Sequence, residues 1–161
     1  SVCSAMAARV PGAHVLDLFA GTGAYGLEAL SRGAVHATMV DANAAAVEAI
    51  RANLAAVAKA MGEANADALG RAVTGDVFTW QPSRGEVFDL VFVDPPYALL
   101  PDFGGKLLER AMGWVSPGTE SRLLLEAHGG YEPASPVGWE LVKRLGKGGR
   151  QPNSLIFRRV G

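Results

Sequence analysis

Short apolar segments alternate along the chain with stretches of helical periodicity. Five segments have the composition of strands: 14–19, 37–41, 71–76, 87–94 and 121–126. Three helices are predicted between them, at 24–33, 43–61 and 102–112. The clearest is 43–61, because Val47, Ile50, Leu54, Val57 and Met61 recur at intervals of three and four residues. This alternation is typical of βαβ units and predicts an α/β fold with a parallel sheet.

The two ends of the chain have different patterns. Residues 139–145 and 154–160 are apolar segments joined by the turn-rich sequence GKGGRQPN, which predicts an antiparallel hairpin at the edge of a mostly parallel sheet. The opening SVCSAMAARV has the composition of the last turns of a helix. Because no repeat or linker divides the 161 residues, we expect a single domain.

The charge balance excludes some modes of binding. Fifteen basic and sixteen acidic residues leave a net charge of -1, so nucleic acid would have to be held by a local patch rather than by a global positive field. The single cysteine, Cys3, excludes an internal disulfide. No apolar run approaches the roughly 18 to 20 residues of a membrane helix. We therefore expect a cytoplasmic protein that acts as a monomer.

A glycine loop follows the first predicted strand. In DLFAGTGAYG, Gly21, Gly23 and Gly26 match the G-x-G-x-x-G pattern, with a strand before them and a helix after. Asp41 ends the next strand about 20 residues later, where a carboxylate can accept hydrogen bonds from ribose hydroxyls. This context favours an adenosine-bearing cofactor over the alternative that Asp41 is only a solvated strand end.

Asp17 distinguishes between such cofactors. It lies four residues before Gly21, where its charge would repel the pyrophosphate of a dinucleotide but would suit an ammonium group or a nearby sulfonium. S-adenosylmethionine carries both cations and no phosphate. Asp76 and Val77, after the third strand, could bind adenine through a carboxylate and a backbone N–H, although Asp76 could equally be a capping acid.

The fourth predicted strand ends in the sequence DPPY, from Asp94 to Tyr97. Consecutive prolines commonly end strands, which explains Pro95 and Pro96 but not the residues that flank them. Two acceptors, the Asp94 carboxylate and the Pro95 carbonyl, could bind both hydrogens of an exocyclic amine and direct its lone pair at a methyl donor. Tyr97 could stack on the base that carries the amine.

Together, DLFAGTG, EALSRGA, VDAN and FVDPPY resemble the class I S-adenosylmethionine-dependent methyltransferases, and most closely the RsmD-like 16S ribosomal RNA (guanine-N2)-methyltransferases. Only Tyr25 interrupts the narrower pattern LFAG(T/S)GALGLEALSRGA. The resemblance implies a Rossmann-like, doubly wound, seven-stranded sheet whose last strand is antiparallel. It also implies an N-terminal stretch with a basic arm and a helix, and we expect this chain to begin near the end of that helix and to lack the arm.

The resemblance assigns roles to the motif residues. The implied catalytic residues are Asp94, Pro95, Pro96 and Tyr97, and the implied cofactor-binding residues are Asp17, Phe19, Gly21, Gly23, Asp41, Asp76 and Val77. The implied partner is ribosomal RNA or the small ribosomal subunit. A local basic patch is available for it in the predicted hairpin: Lys143, Arg144, Lys147, Arg150, Arg158 and Arg159. The same charges could instead only protect an exposed sheet edge.

Other functions remain open at this stage. The DPPY motif is shared by enzymes that methylate amino groups of DNA, transfer RNA or protein glutamine, and the glycine loop also occurs in NAD-dependent oxidoreductases. A non-catalytic protein that only binds the cofactor is a further alternative. His128 follows the fifth strand, but this chemistry needs no imidazole base, so we expect no catalytic role for it. No metal site is predicted.

Overall fold

The computed structural model describes residues 5–128, 130–146 and 152–161. The strands are β1 (His14–Leu18), β2 (His36–Asp41), β3 (Gly70–Thr74), β4 (Leu90–Val93), β5 (Arg122–His128), β6 (Trp139–Leu145) and β7 (Pro152–Arg159). The helices are α1 (Ala24–Ser31), α2 (Ala44–Ala60) and α3 (Leu100–Met112), with short 3-10 turns at Ala7–Arg9, Ala66–Ala68 and Tyr97–Leu99. The described part of the opening segment, predicted as the last turns of a helix, ends in the first of these 3-10 turns.

All seven strands form one sheet in the order β3-β2-β1-β4-β5-β7-β6. The first five strands are parallel, and β7 is inserted antiparallel between β5 and β6. This arrangement confirms the predicted α/β architecture, including the antiparallel hairpin. The chain order reverses between β1 and β4, and in open α/β sheets ligands bind outside the carboxyl ends of the strands at such a point.

The core lies on both faces of the sheet, as expected for a doubly wound fold. Along β1, Val15 packs on the face covered by α1 and α2, whereas Leu16 and Leu18 pack on the face covered by α3. Asp17 interrupts this apolar strand and is nevertheless 1% exposed. The strand therefore carries a carboxylate into the core on the side of α1.

The fourth strand is shorter than the 87–94 segment predicted for it. Val87 is 41% exposed, and Phe88 forms only an isolated bridge to Val115. Asp89 still bonds to both neighbouring strands, since its N–H donates to the His14 carbonyl at 2.8 Å and its carbonyl accepts from the N–H of Arg122 at 2.9 Å. An apolar composition therefore overestimated the start of the strand, because Val87 is exposed and Phe88 pairs with a residue from the loop after α3.

Helix α3 runs through two glycines that weaken its sequence pattern. Gly104 is buried, and a Cβ at that position would lie 2.0 Å from the hydroxyl of Tyr131 and 2.5 Å from its Cζ. A Cβ at Gly105 would meet nothing within 4 Å. The first glycine thus makes room for a tyrosine from the loop after β5, whereas the second has no such packing reason.

The two glycines provide a matched pair of substitutions. We expect Gly105→Ala to raise the free energy of unfolding by about 0.5–1 kcal/mol, because alanine favours the helical backbone. Gly104→Ala adds the same methyl group but displaces the Tyr131 ring, so its gain should be absent or reversed. Urea denaturation of both variants measures the difference, and equal stabilisation by the two would contradict the packing of Tyr131 against Gly104.

Candidate functional site

Acidic side chains end four neighbouring strands at one edge of the sheet. They are Asp17 in β1, Asp41 at the end of β2, Asp76 after β3 and Asp94 after β4. Backbone hydrogen bonds tie these strand ends together: the N–H of Gly75 donates to the Asp41 carbonyl at 2.9 Å, and the N–H of Asp94 donates to the Leu18 carbonyl at 3.3 Å. The structure thus brings the predicted site residues to a common edge.

Asp17 is the most deeply buried of these acids. Its Oδ2 accepts a hydrogen bond from the backbone N–H of Gly26 at 3.0 Å. Gly26 permits this approach of α1 to the sheet, because a Cβ there would lie 2.8 Å from Cγ and Sδ of Met39. The other oxygen, Oδ1, is buried and accepts no hydrogen bond from the residues that the structure describes. A buried carboxylate oxygen without a donor is costly and calls for a partner.

The protonation of Asp17 reflects this setting. Burial raises the pKa of Asp17 to about 8, the Gly26 N–H opposes that rise, and the nearby charges of Asp94 and Asp41 add to it. A cation placed at Oδ1 would favour the ionised form and bring the pKa down again. The site is therefore suited to a positively charged group.

The backbone N–H groups of the three motif glycines are already hydrogen-bonded within the protein. The N–H of Gly21 donates to Oδ2 of Asp41 at 2.9 Å, and the N–H of Gly23 donates to the Ala20 carbonyl at 2.7 Å. The N–H of Gly26 is taken by Asp17. Dinucleotide folds leave such N–H groups for phosphate oxygens. Here two are bound by carboxylates, which argues against the NAD alternative.

Phe19 lies between β1 and the glycines with φ of +58°, a left-handed conformation that costs a bulky residue about 1–3 kcal/mol. Gly21 and Gly23 follow with φ of +56° and +79°. Residues are held in such conformations mainly where a ligand site requires them. This local strain is compatible with the predicted place of Phe19 in a cofactor site.

Asp76 acts as a capping acid in this structure. Its Oδ1 accepts a hydrogen bond from the N–H of Phe78 at 2.9 Å, and its carbonyl accepts from the N–H groups of Thr79 and Trp80. Val77 is buried, and its carbonyl accepts a hydrogen bond from Arg110 Nε at 2.9 Å. The capping role that the sequence offered as an alternative is thus observed for Oδ1. Binding of adenine by Asp76 stays a prediction.

The DPPY segment combines a buried proline with exposed flanking residues. Pro95 is buried, whereas Asp94, Pro96 and Tyr97 are exposed. Tyr97 begins the 3-10 turn that leads into α3, so the ring is fixed by the start of a helix. Partial desolvation raises the pKa of Asp94, and the charge of Glu126 raises it further.

His128 contacts the DPPY segment, although no role was expected for it. Its ring stacks on Tyr97 with 4.5 Å between centroids and 27° between planes. The two rings border a cavity of about 370 Å³ that Leu100, Pro101 and Tyr131 also line. One face of the Tyr97 ring is thus covered by the His128 ring.

Glu126 is a site residue that the sequence interpretation missed. It ends the apolar part of β5, and its Oε1 accepts hydrogen bonds from the hydroxyls of Tyr25 at 2.6 Å and Ser154 at 2.5 Å. The Tyr25 ring stacks on Phe92 with centroids 4.8 Å apart and an interplanar angle of 4°. The signal was available, because Glu126 ends the segment 121–126 that the sequence predicts as the fifth strand, as other acids lie at the ends of the first four.

The described basic residues of the hairpin largely have partners within the protein. Arg144 pairs with Glu132, and Arg158 pairs with Glu140 at 2.6 Å. Arg159 donates to backbone carbonyls after α3 and lies 4.7 Å from the centroid of the Trp139 ring. Lys143 is exposed. Lys147 and Arg150 lie outside the described residues, so the patch as a whole stays a prediction.

Within the described residues, no helix is both long and apolar enough to cross a membrane.

Comparisons with known proteins identify relatives of this chain. The model of the family described as "Conserved hypothetical protein 95" matches residues 1–149. Ribosomal RNA small subunit methyltransferase D of Escherichia coli (strain K12) is 33% identical over 138 residues, which are 80% of this chain and 61% of that protein. The protein of the same name from Haemophilus influenzae is 29% identical over 134 residues, 80% of this chain and 63% of the relative. The chain thus spans less than two thirds of the length of these relatives.

A solved structure, yhhF from Escherichia coli, has the same fold. It superposes with a TM-score of 0.80 at 26% identity, covering 99% of this chain and 84% of that chain. The common fold therefore includes the sheet edge that carries the acidic residues.

The buried carboxylate predicts an unusual dependence of stability on pH. Because the pKa of Asp17 is about 8 in the folded protein and near 3.8 when unfolded, the folded state binds more protons between these values, and stability falls as pH rises from about 4 to 8. Asp17→Asn should remove this contribution, at most about 1.4 kcal/mol per pH unit. Urea denaturation across this range measures it, and an unchanged pH slope in the variant would contradict the raised pKa.

Proposed function

The chain belongs to the family described as "Conserved hypothetical protein 95", and on that premise we propose that it transfers a methyl group from S-adenosylmethionine to the N2 amine of a guanine in 16S ribosomal RNA. The membership confirms the resemblance that the glycine loop and FVDPPY indicated. The observation that carries the proposal is that one sheet edge holds both the DPPY segment and a buried oxygen of Asp17 that has no hydrogen-bond donor among the described residues.

Asp17 fits the aminoacyl end of the methyl donor. Its Oδ1 accepts no hydrogen bond from the described residues, and the ammonium group of S-adenosylmethionine would supply both a donor and a positive charge that stabilises the ionised carboxylate. Asp41 would bind the ribose hydroxyls in exchange for part of its contacts to backbone N–H groups. Asp76 and Val77 would border the adenine, and Phe19, Gly21 and Gly23 would line the path between them.

The DPPY segment would hold the guanine amine. An exocyclic amine is a poor nucleophile, because its lone pair is delocalised into the ring. The Asp94 carboxylate and the Pro95 carbonyl would accept its two hydrogens, and Pro96 would keep the segment rigid because its φ is restricted. Tyr97 would stack on the base with the ring face opposite His128.

The chemistry then requires little acid–base assistance. S-adenosylmethionine supplies a methyl carbon on a cationic sulfur, so the nitrogen–carbon bond forms as the carbon–sulfur bond breaks and sulfur keeps the electron pair. The amine loses one proton in the process. Asp94 would take this proton, and the rise of its pKa by desolvation and by Glu126 would strengthen it as an acceptor.

The RNA would be held by local contacts, because the net charge of -1 provides no general attraction. The hairpin formed by β6 and β7 supplies candidates. Lys143 is exposed and forms no ion pair with the described residues, and the arginines could contact phosphates by exchanging their present partners. The membership of Lys147 and Arg150 in this surface rests on their place in the sequence.

Cofactor choice is tested by calorimetry. We expect S-adenosylmethionine to bind and NAD not to bind, because the N–H groups of Gly21, Gly23 and Gly26 are already hydrogen-bonded and a pyrophosphate brings no cation to Asp17. Binding at pH 7 should release up to one proton, since the cation lowers the pKa of Asp17 from about 8. Titrations in buffers of different ionisation enthalpy measure that proton, and its release should vanish in Asp17→Asn. Binding of NAD in preference to S-adenosylmethionine would contradict the proposal.

Methyl transfer is tested with small ribosomal subunits that lack the modification. Asp94→Ala removes one amine acceptor, so transfer of a labelled methyl group should fall by roughly 100-fold or more while binding of S-adenosylmethionine persists. Asp94→Asn is the matched control, because its amide oxygen can still accept one hydrogen and should retain more activity than alanine. Full activity of Asp94→Ala would contradict the mechanism, and mapping of the methylated nucleotide separates guanine N2 from other amines.

A further inference from the structure

Glu126 lies beside Asp94 at the carboxyl edge of the sheet. In the parallel register of β4 and β5, Val93 is opposite Leu125, so the next position places Asp94 beside Glu126. Adjacent strands lie about 4.8 Å apart. The effect of the Glu126 charge on Asp94 and on Tyr97 agrees with this proximity. Two carboxylates therefore border the place where the proposed function puts the amine.

Both hydrogen bonds that orient Glu126 are accepted by one of its carboxylate oxygens, Oε1. Tyr25 and Ser154 both donate to Oε1, which orients the carboxyl group from α1 on one side and from β7 on the other. The carboxylate has a second oxygen, Oε2, with lone pairs of its own. The residue is 9% exposed, so its position is set by packing rather than by solvent.

Tyr25 makes this arrangement rigid. Its ring lies flat on Phe92, two residues before Asp94, while its hydroxyl reaches Glu126 on the neighbouring strand. Movement of Glu126 relative to the DPPY segment would thus break either the stacking or the hydrogen bond. A polar group that discriminates between substrates needs such prior orientation.

The base proposed for this site has a donor next to its amine. Guanine presents N1–H beside the N2 amine, whereas a purine without the 6-oxo group presents an unprotonated N1 that can only accept. On the basis of the proposed function, we infer that Glu126 is a specificity-determining residue whose Oε2 accepts the N1–H of the target guanine, beside the amine held by Asp94. Neighbouring carboxylates would then recognise adjacent donors on one edge of the base.

This assignment explains a feature that amine binding alone does not. Asp94 and the Pro95 carbonyl would accept both hydrogens of any exocyclic amine, including that of adenine. A negative group facing N1 would favour guanine and oppose a base whose N1 carries a lone pair, since acceptor faces acceptor. Sites that bind a substrate donor reject analogues without it because a buried group loses its partner.

The test replaces the N1–H donor of the base by an acceptor, and replaces the Glu126 acceptor by a donor. After the modified guanosine is mapped, ribosomal RNA carrying 2-aminopurine at that nucleotide is assembled into small subunits. 2-Aminopurine keeps the 2-amine but has no N1–H. We expect the parent protein to methylate guanine at least roughly 100-fold more efficiently than 2-aminopurine. In Glu126→Gln the preference should fall at least tenfold and move towards 2-aminopurine, because the amide N–H can donate to its N1 while the amide oxygen still accepts from Tyr25 and Ser154.

A second variant covers the case in which the glutamine side chain disturbs folding. The methionine of Glu126→Met has a similar length and no carboxyl group to accept the N1–H. In this variant the ratio of methylation efficiencies for guanine and 2-aminopurine should approach one. Circular dichroism and binding of S-adenosylmethionine identify which variants are folded. If either folded variant keeps the parent protein's preference for guanine over 2-aminopurine, the inference is overturned. If that preference is lost in Asp94→Asn and kept in the Glu126 variants, Asp94 rather than Glu126 accepts both the N1–H and the amine hydrogen. Equal methylation of both bases by the parent protein would also overturn it.

Failure of the broader proposal has a different outcome. If the parent protein methylates no guanine in any subunit, the proposed function fails and the comparison of bases has no signal. If guanine is methylated and the variants keep its preference, only the role of Glu126 fails.

Discussion

The carboxylate of Asp17 lies inside the core at the end of β1 with one oxygen bound to the backbone of Gly26 and the other without a donor among the described residues. Much of the local architecture depends on this contact. It requires α1 to approach the sheet closely, which a side chain at Gly26 would prevent because of Met39. Burial of the carboxylate raises its pKa, the Gly26 N–H opposes that rise, and a bound cation would lower the pKa further.

The neighbouring acids raise the pKa of Asp17 further. Asp41 and Asp94 each raise the pKa of Asp17, and Glu126 raises that of Asp94, so the edge concentrates negative charge in a partly desolvated region. Such an arrangement opposes stability in the free protein. It favours a ligand that brings positive charge or several hydrogen-bond donors, and both the proposed methyl donor and a guanine edge have these properties.

Periodicity predicted the element order well, because buried strands and amphipathic helices have distinct patterns. It overestimated β4, where Val87 is apolar but exposed and Phe88 pairs with a loop residue. It also gave no reason for Gly104, whose partner Tyr131 is 27 residues away in the chain. Glu126 was missed for a similar reason: its importance depends on Tyr25 and Ser154, which come from α1 and β7.

The sequence by itself determined the fold class, the glycine loop and the acids that end the first four strands, because these features follow from local pattern and from the rule that parallel strands share a carboxyl edge. It also contained the family resemblance. Only the tertiary structure decided that the loop N–H groups are occupied, that His128 covers one face of Tyr97, and that Glu126 stands beside Asp94. These depend on register and on contacts between distant segments, which no local spacing specifies.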